Sequence, residues 1–273
     1  MTTEDRDTAQ PVNNPLFVPP EVSWLLCTHV ANDQLRLALQ SCLDQTFPNF
    51  ELLVVANGPD AKEIAARVRK WYGDDARIRV LTTEIKHLTF SLSLGLHHSR
   101  APLVARMDGD DICTPDRLER QVAFMRANQD VVVLGSAYEL IDAKGTPLKT
   151  VLLPCADSDI RRALLRGNPL CHPSVMLRRA SVMAAGGYLG GIYAQDYDLW
   201  TRLAMDPANR FGNLSEVCIG YRVAGVGTAR KARGAYASVA ASQFRNFVQG
   251  EGIVWGGAAL LSAMKWVFRR FCG

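Results

Sequence analysis

Short, nearly continuous apolar runs that alternate with amphipathic stretches constrain the fold of this chain more than any other feature. Val22–Cys27 (VSWLLC) and Glu51–Ala56 (ELLVVA) are too short to be buried helices and too evenly apolar for a sheet with one wet face. Strands covered on both faces of a parallel sheet have this texture. Between the two runs, Leu35, Leu39, Cys42 and Leu43 recur at helical spacing, with Asn32 or Asp33 placed to cap the start. Phe47-Pro48-Asn49 ends that helix. The pattern then predicts a helix over Ala61–Tyr72, a strand over Arg77–Leu81, a helix over Phe90–His98 and a strand over Pro102–Met107. Such alternation predicts βαβ units, and therefore an α/β fold whose central, mostly parallel mixed sheet is flanked by helices.

After Asp116 the rhythm changes. A helix is expected over Leu118–Ala127 and a long strand over Val131–Ile141, which ends in a turn at Ala143-Lys144-Gly145. Helix Asp157–Arg166, a segment His172–Leu177, a glycine-rich loop Gly186–Gly191 and helix Asp196–Met205 follow, and Glu216–Tyr221 closes the sheet. No internal repeat or long linker interrupts residues 21–225, so they read as one domain. A polar, proline-bearing leader (1–20), expected to be flexible, precedes it, and a helical region (226–273) follows.

Composition narrows the class of function. Apolar residues make up 48% and charged residues 21%, as in an ordinary folded protein. The net charge of +4 is gathered late, in Arg230, Lys231, Arg233, Lys265, Arg269 and Arg270. There is no dense basic face with interleaved aromatics, which argues against nucleic acid as a partner. The seven cysteines are odd in number and never spaced CxxC. That argues against a disulfide framework or a zinc site and suits a reducing, cytoplasmic compartment. The start carries no basic-then-apolar signal pattern, and no stretch supplies the roughly 20 apolar residues of a membrane span.

Chemistry concentrates at Asp108-Gly109-Asp110-Asp111. The strand before it delivers these carboxylates to its carboxyl end, where ligands bind in open α/β sheets. Carboxylates at i and i+2 of a tight turn converge on one hard cation, and Gly109 lets the backbone turn closely. Mg²⁺ or Mn²⁺ held in this way completes its shell with water and phosphate oxygens, so a diphosphate is the natural partner. The duller alternative is a solvated acidic turn, with Asp116 capping the next helix after Pro115. Arg106 pairs either with a phosphate or with Asp111.

The run Ala105–Met125, ARMDGDDICTPDRLERQVAFM, closely resembles the bacterial members of glycosyltransferase family 2, which are inverting enzymes of the GT-A fold. LLCTHV, SCLDQTFPNFELLVVANG, HPSVMLRR, QDYDLW and NLSEVCIGYRV occur in the family's order, so the resemblance covers most of 22–222. It is strongest to transferases that build lipopolysaccharide, capsule and other surface glycans. It implies a GT-A catalytic domain at 21–225 and a metal-dependent, inverting hexosyl transfer. The donor would be a nucleotide-diphosphate sugar, with UDP favoured. The acceptor would be a hydroxyl of a glycan or lipid-linked glycan, met in the cytoplasm or peripherally at the cytoplasmic face of the inner membrane. By position, it implies Asp110 as main ligand of Mn²⁺ or Mg²⁺, with Asp108 a further ligand near the ribose or the sugar diphosphate. Thr28 then lies along the nucleotide and Asn57 beside the base, with a plain turn after the second strand as the equal alternative for Asn57-Gly58; Arg106 is a donor-side candidate from its place before the acidic turn.

The same resemblance makes Asp196, in Gln195-Asp196-Tyr197-Asp198, the general base. An acceptor hydroxyl attacks poorly until a carboxylate takes its proton. The structural alternative is that Asp196 only caps the helix it opens. His172 and Trp200 fall on the acceptor side, each with packing as the alternative role. Several positions depart from the family: Ala56-Asn57 and Gln195 replace acidic residues, no histidine follows Tyr221-Arg222, and His87, Phe90 and Ser93 precede the acidic strand. Two other functions fit less of the text. A non-catalytic nucleotide-sugar binder would tolerate the altered positions. A sugar-phosphate nucleotidyltransferase would need a glycine-rich basic loop, which Cys27-Thr28-His29-Val30 does not supply.

Gly252–Phe271 reads as an apolar helix with Lys265, Arg269 and Arg270, in which Gly256-Gly257 weakens the case for a single straight helix. Trp255 and Trp266 fall on one side of it. It either lies in a membrane interface, drawn to anionic lipid, or packs on the core or a second copy.

Overall fold

A computed structural model describes residues 18–223, 228–250 and 252–271. Most of the 1–20 leader therefore lies outside the described residues. The chain begins with strand β1 (Val22–Thr28), helix α1 (Asp33–Leu43), β2 (Phe50–Asn57), α2 (Ala61–Tyr72) and β3 (Ile78–Thr83). It continues with α3 (Leu88–His98), β4 (Leu103–Asp108), β5 (Ile112–Cys113), α4 (Arg117–Ala127), β6 (Val131–Ile141) and β7 (Pro147–Val151). Then come α5 (Asp157–Leu164), a 3-10 turn (His172–Ser174), β8 (Met176–Arg178), α6 (Arg179–Ala184), α7 (Gln195–Leu203) and β9 (Arg210–Arg222). A pair of helices, α8 (Thr228–Val248) and α9 (Ile253–Phe271), closes the described chain.

Among the described residues the strands form one sheet in the order β3-β2-β1-β4-β8-β6-β9-β5, with β7 hung on β6. The β3-β2-β1-β4 half is parallel, as the apolar runs require. The second half is mixed: β8 runs antiparallel to both β4 and β6, and β6 pairs in parallel with β9. Strand alternation sorts the core into two layers. Trp24, Leu26, Leu52, Val54 and Met107 face α1 and α4. Leu25, Val55 and Val104 face α3, α5 and α7. Gly95 lets α3 sit close on the sheet, because a Cβ there would lie 2.1 Å from Leu25 Cδ1.

One buried cation ties the fold to the site. The guanidinium of Arg117, at the start of α4, is fully buried and stacks 4.7 Å over the Trp24 ring. It donates to the Arg106 carbonyl at 2.8 Å and to Gln121 Oε1 at 3.0 Å. Desolvated cation–π contact of this kind contributes about 2 kcal/mol. It pins the strand residue two positions before the acidic turn.

Three local expectations change. Asp116 makes no side-chain cap on α4; its carboxylate is taken by Thr114 Oγ1 at 2.8 Å and Arg120 Nε at 2.6 Å. Asp196 does not cap α7 either, because the helix starts one residue earlier and Ala194 is its cap. Helix α9 runs through Gly256-Gly257 unbroken. Phe247 packs against that point, since a Cβ on Gly256 would meet its ring at 3.1 Å.

Candidate active site

Strand β4 ends on Asp108, the Gly109-Asp110 turn follows, and Asp111 leads into β5. Gly109 lies against the β1–α1 junction: a Cβ there would come within 3.2 Å of Leu35 Cδ1 and 3.7 Å of Thr28 Cβ. One carboxylate oxygen from each of Asp108, Asp110 and Asp111 falls within 4.8 Å of the others. Arg222, the last residue of β9, clamps the turn. Its backbone N–H donates to Asp111 Oδ1 at 2.7 Å and its Nε to the Asp110 carbonyl at 2.7 Å. Nη1 of Arg222 reaches the carbonyls of Asp142 and Ala143.

The second oxygen of Asp111 is buried with no hydrogen-bond partner among the described residues. Burial, then the neighbouring Asp108 carboxylate, push the Asp111 carboxyl up to about 8. Three converging carboxyls with an orphaned oxygen, one of them reluctant to ionise alone, fit the demands of a divalent cation. Asp108 and Asp110 are the residues that would hold it from the cavity side.

Arg106 pairs with neither Asp111 nor open solvent: its guanidinium forms an ion pair with Asp108. Residues 106 and 108 share one face of β4, whereas Asp111 turns back to the Arg222 backbone. Burial alone would lower the Arg106 pKa, but the Asp108 carboxylate outweighs it and raises it. Nε and Nη1 of Arg106 have no hydrogen-bond partner among the described residues.

Two cavities flank Asp108. The first, about 520 Å³, is lined by Thr28, Asn57, Lys86, His87, Asp108 and Asp110. Thr28 shapes its wall through a local turn, with its hydroxyl donating to the Val30 carbonyl at 2.7 Å and accepting from Val30 N–H at 3.2 Å. Asn57 ends β2 and is buried in the same wall. The second cavity, about 400 Å³, is lined by Arg106, Asp108, Tyr138, Asn168, His172, Asp196 and Tyr221. Leu88 and Asp108 border both.

Asp196 is the second residue of α7 and projects into the second cavity. Ala194 takes up the turn before it in a left-handed conformation, φ 55°, at a cost of about 1–2 kcal/mol. Burial raises the Asp196 carboxyl above its ordinary range, against bonds from the Tyr197 backbone and Asn168 that lower it. The helix itself is locked from behind. Tyr197 Oη donates to the Leu164 carbonyl at 2.5 Å and accepts from Gln243 at 2.8 Å. Asp198 pairs with Arg202 and with Arg245 of α8.

His172 lines the second cavity but is also wedged into the core. Its Nε2 lies 3.0 Å from Tyr188 Oη, and burial, then the Arg106 cation, hold its pKa well below the usual range, so it is neutral. Trp200 does not reach the cavity. It is fully buried and meets His172 edge-on at 6.1 Å. It lies four positions beyond Asp196 on α7, yet it is turned to the core. Trp200 is therefore a packing residue. Sequence reasoning missed Arg222, Tyr138, Tyr221 and Leu88 as site residues. Only Tyr221 and Arg222 carried a signal, as the Tyr-Arg pair of the closing strand.

Comparison with known proteins supports the same frame. The profile of the family described as "Glycosyl transferase family 2" matches residues 23–186. The chain is 33% identical over 229 residues to an O-antigen biosynthesis glycosyltransferase, WbnJ, of Escherichia coli, covering 84% of this chain and 89% of that one. It is 29% identical over 210 residues to an Escherichia coli UDP-Gal:alpha-D-GlcNAc-diphosphoundecaprenol beta-1,3-galactosyltransferase, covering 74% of each. A mannosyltransferase from Pyrobaculum calidifontis, solved with GDP-Man and Mn²⁺, shares the fold at 17% identity and a TM-score of 0.65, covering 92% of this chain and 75% of that one. A GT-A-like sheet, an acidic turn at its switch point and a family match over most of that sheet lead to one conclusion: the chain belongs to glycosyl transferase family 2.

Proposed function

We propose that this transferase moves a hexose, with inversion, from a UDP-sugar to a hydroxyl of a glycan or lipid-linked glycan during bacterial surface polysaccharide synthesis. The observation that carries the proposal is the meeting of two cavities at Asp108, with the acidic turn in one and the Asp196 carboxylate in the other. The donor lies in the first cavity, its nucleotide along Thr28 and its base against Asn57, whose amide both donates and accepts. Asp108 and Asp110 would hold a divalent cation there, which would offset the charge of the donor diphosphate. Arg106 holds Asp108 in place through their ion pair. In the second cavity Asp196 takes the proton of the acceptor hydroxyl as that oxygen attacks the anomeric carbon on the face opposite the diphosphate. Neutral His172 adds no competing charge.

The test is transfer itself. Incubated with Mn²⁺, a panel of UDP-sugars and a polyprenyl-diphosphate-linked sugar, the protein is expected to release UDP and extend the acceptor. EDTA should abolish both. Donor binding without turnover on any acceptor would instead favour a nucleotide-sugar-binding protein.

The acceptor side of the proposal includes a membrane contact. Helix α9 carries its small residues inward, with Ala258, Ala259 and Ser262 buried, and its large apolar ones outward. Ile253, Leu260, Leu261 and Phe268 are each more than 60% exposed, and Lys265 is exposed beside them. Trp255 packs on the core, so the two-tryptophan side is not the outward one. Residues 226–273 hold seven Lys and Arg against one acidic residue, while the rest of the chain has a slight acidic excess. No helix among the described residues is long and apolar enough to cross a membrane. An outward apolar stripe on a basic segment suits the interface of an anionic bilayer. The protein should float with phosphatidylglycerol vesicles, and Leu260→Glu with Leu261→Glu should abolish flotation. Equal flotation of both proteins, or their self-association without lipid, would reject the contact.

A further inference from the structure

Asn168 sits in the loop between α5 and the 3-10 turn, just before Pro169, which restricts it to extended conformations. Its Oδ1 accepts the Leu170 backbone N–H at 3.2 Å. That bond fixes which end of the amide faces which way, since only an acceptor can receive an N–H. Nδ2 is thereby aimed at Asp196 Oδ2, 2.6 Å away. The contact joins two segments 28 residues apart across the mouth of the second cavity. A backbone-locked donor on a carboxylate is the arrangement that fixes a reacting group from its surroundings.

We infer that Asn168 is the positioning residue for Asp196: its amide holds the carboxylate in the orientation and charge state that proton abstraction requires. This rests on Asp196 acting as the base. Other groups face the carboxylate from each packed element. Arg106 and Asp108 do so from β4, Tyr188 from the glycine-rich loop and His172 from the 3-10 turn, which stays neutral. Arg202 and Arg245 are turned away, onto Asp198. Asn168 is the side chain that donates directly to Asp196 among the described hydrogen bonds. Burial works against ionisation here, so loss of that bond leaves more of the base protonated.

The test is a carbon-13 NMR titration of side-chain carboxyls in full-length, aspartate-labelled protein. The Asp196 signal is assigned by its loss in Asp196→Asn. Asn168→Ala should move the Asp196 titration up by about one pH unit, a tenfold loss of ionised base on the acid side. Asn168→Asp should move it further, because two adjacent carboxyls share their titration. Asn168 is solvent-exposed, so both variants should fold and bind UDP with Mn²⁺ as before, with a thermal midpoint lowered at neutral pH only by what the raised Asp196 titration costs. With an active donor, the acid limb of kcat should move with the titration at unchanged donor KM. An Asp196 titration that stays in place in both variants would overturn the inference. A titration that moves while Asp196→Asn keeps full turnover would leave the Asn168 contact standing and remove the base assignment instead.

Discussion

Asp196→Asn is expected to lower turnover by about 10³-fold, within the span for loss of a general base, while donor binding persists. The asparagine is isosteric and still meets Asn168, so α7 keeps its place against Tyr197, Gln243 and Asp198. What it cannot do is accept the proton of an attacking hydroxyl. The donor cavity does not include residue 196, so donor KM should hold and the loss should fall on kcat. The wild-type pH profile gives a second check. Burial raises the Asp196 pKa, so the base is ionised only above that raised value. Activity should therefore fall, as pH drops, earlier than for an ordinary aspartate, and Asp196→Asn should lose that limb. Equal kcat for the two proteins would place the base elsewhere.

Asp110→Asn should have a comparable effect by a different route, with about 10²–10³-fold lower turnover and loss of Mn²⁺-dependent stabilisation by UDP. Its effect on the metal-free protein has the opposite sign. Three carboxyls converge there without a cation, so removing one charge relieves repulsion and should raise the metal-free thermal midpoint. Asp111 adds a pH signature. Its folded pKa, pushed up to about 8, lies above the unfolded value, so the folded chain binds the extra proton. The stability it contributes is fully present below about pH 4 and is lost as pH rises through 8. Mn²⁺ with UDP should reverse that loss in wild type and not in Asp110→Asn. Calorimetric scans at pH 5 and 8, with and without Mn²⁺ and UDP, read both effects. A metal-free variant less stable than wild type would contradict the repulsion.

What could be read from residues alone followed burial. Val22–Thr28, Phe50–Asn57 and Leu103–Asp108 announce themselves because both faces of a parallel strand are covered. Strand β7 escaped notice because it is an exposed edge, with Leu148 and its neighbours in solvent. The first half of β9 escaped for a similar reason: Arg210, Asn213 and Ser215 interrupt its apolar pattern. The acidic turn and Asp196 were legible as residue types in family order. Their joining at one junction was not, since Leu88 and Asp108 border both cavities only once α3 lies on β1 and β2. Arg222 clamps backbone groups some 80 and 112 residues away, contacts that no local pattern encodes. Trp200 was misplaced because helical spacing gives a face and does not say which neighbour covers it.

In the proposed reaction the donor diphosphate and its cation sit on the Asp110 side of Asp108, across from Asp196. Anomalous scattering from crystals grown with Mn²⁺ and UDP tests it most directly. The expected result is one Mn²⁺ peak in contact with the Asp108 and Asp110 carboxylates, with UDP along Thr28 and Asn57 and the Asp196 cavity left open. A Mn²⁺ peak away from those two residues, or UDP lodged beside Asp196, would contradict it.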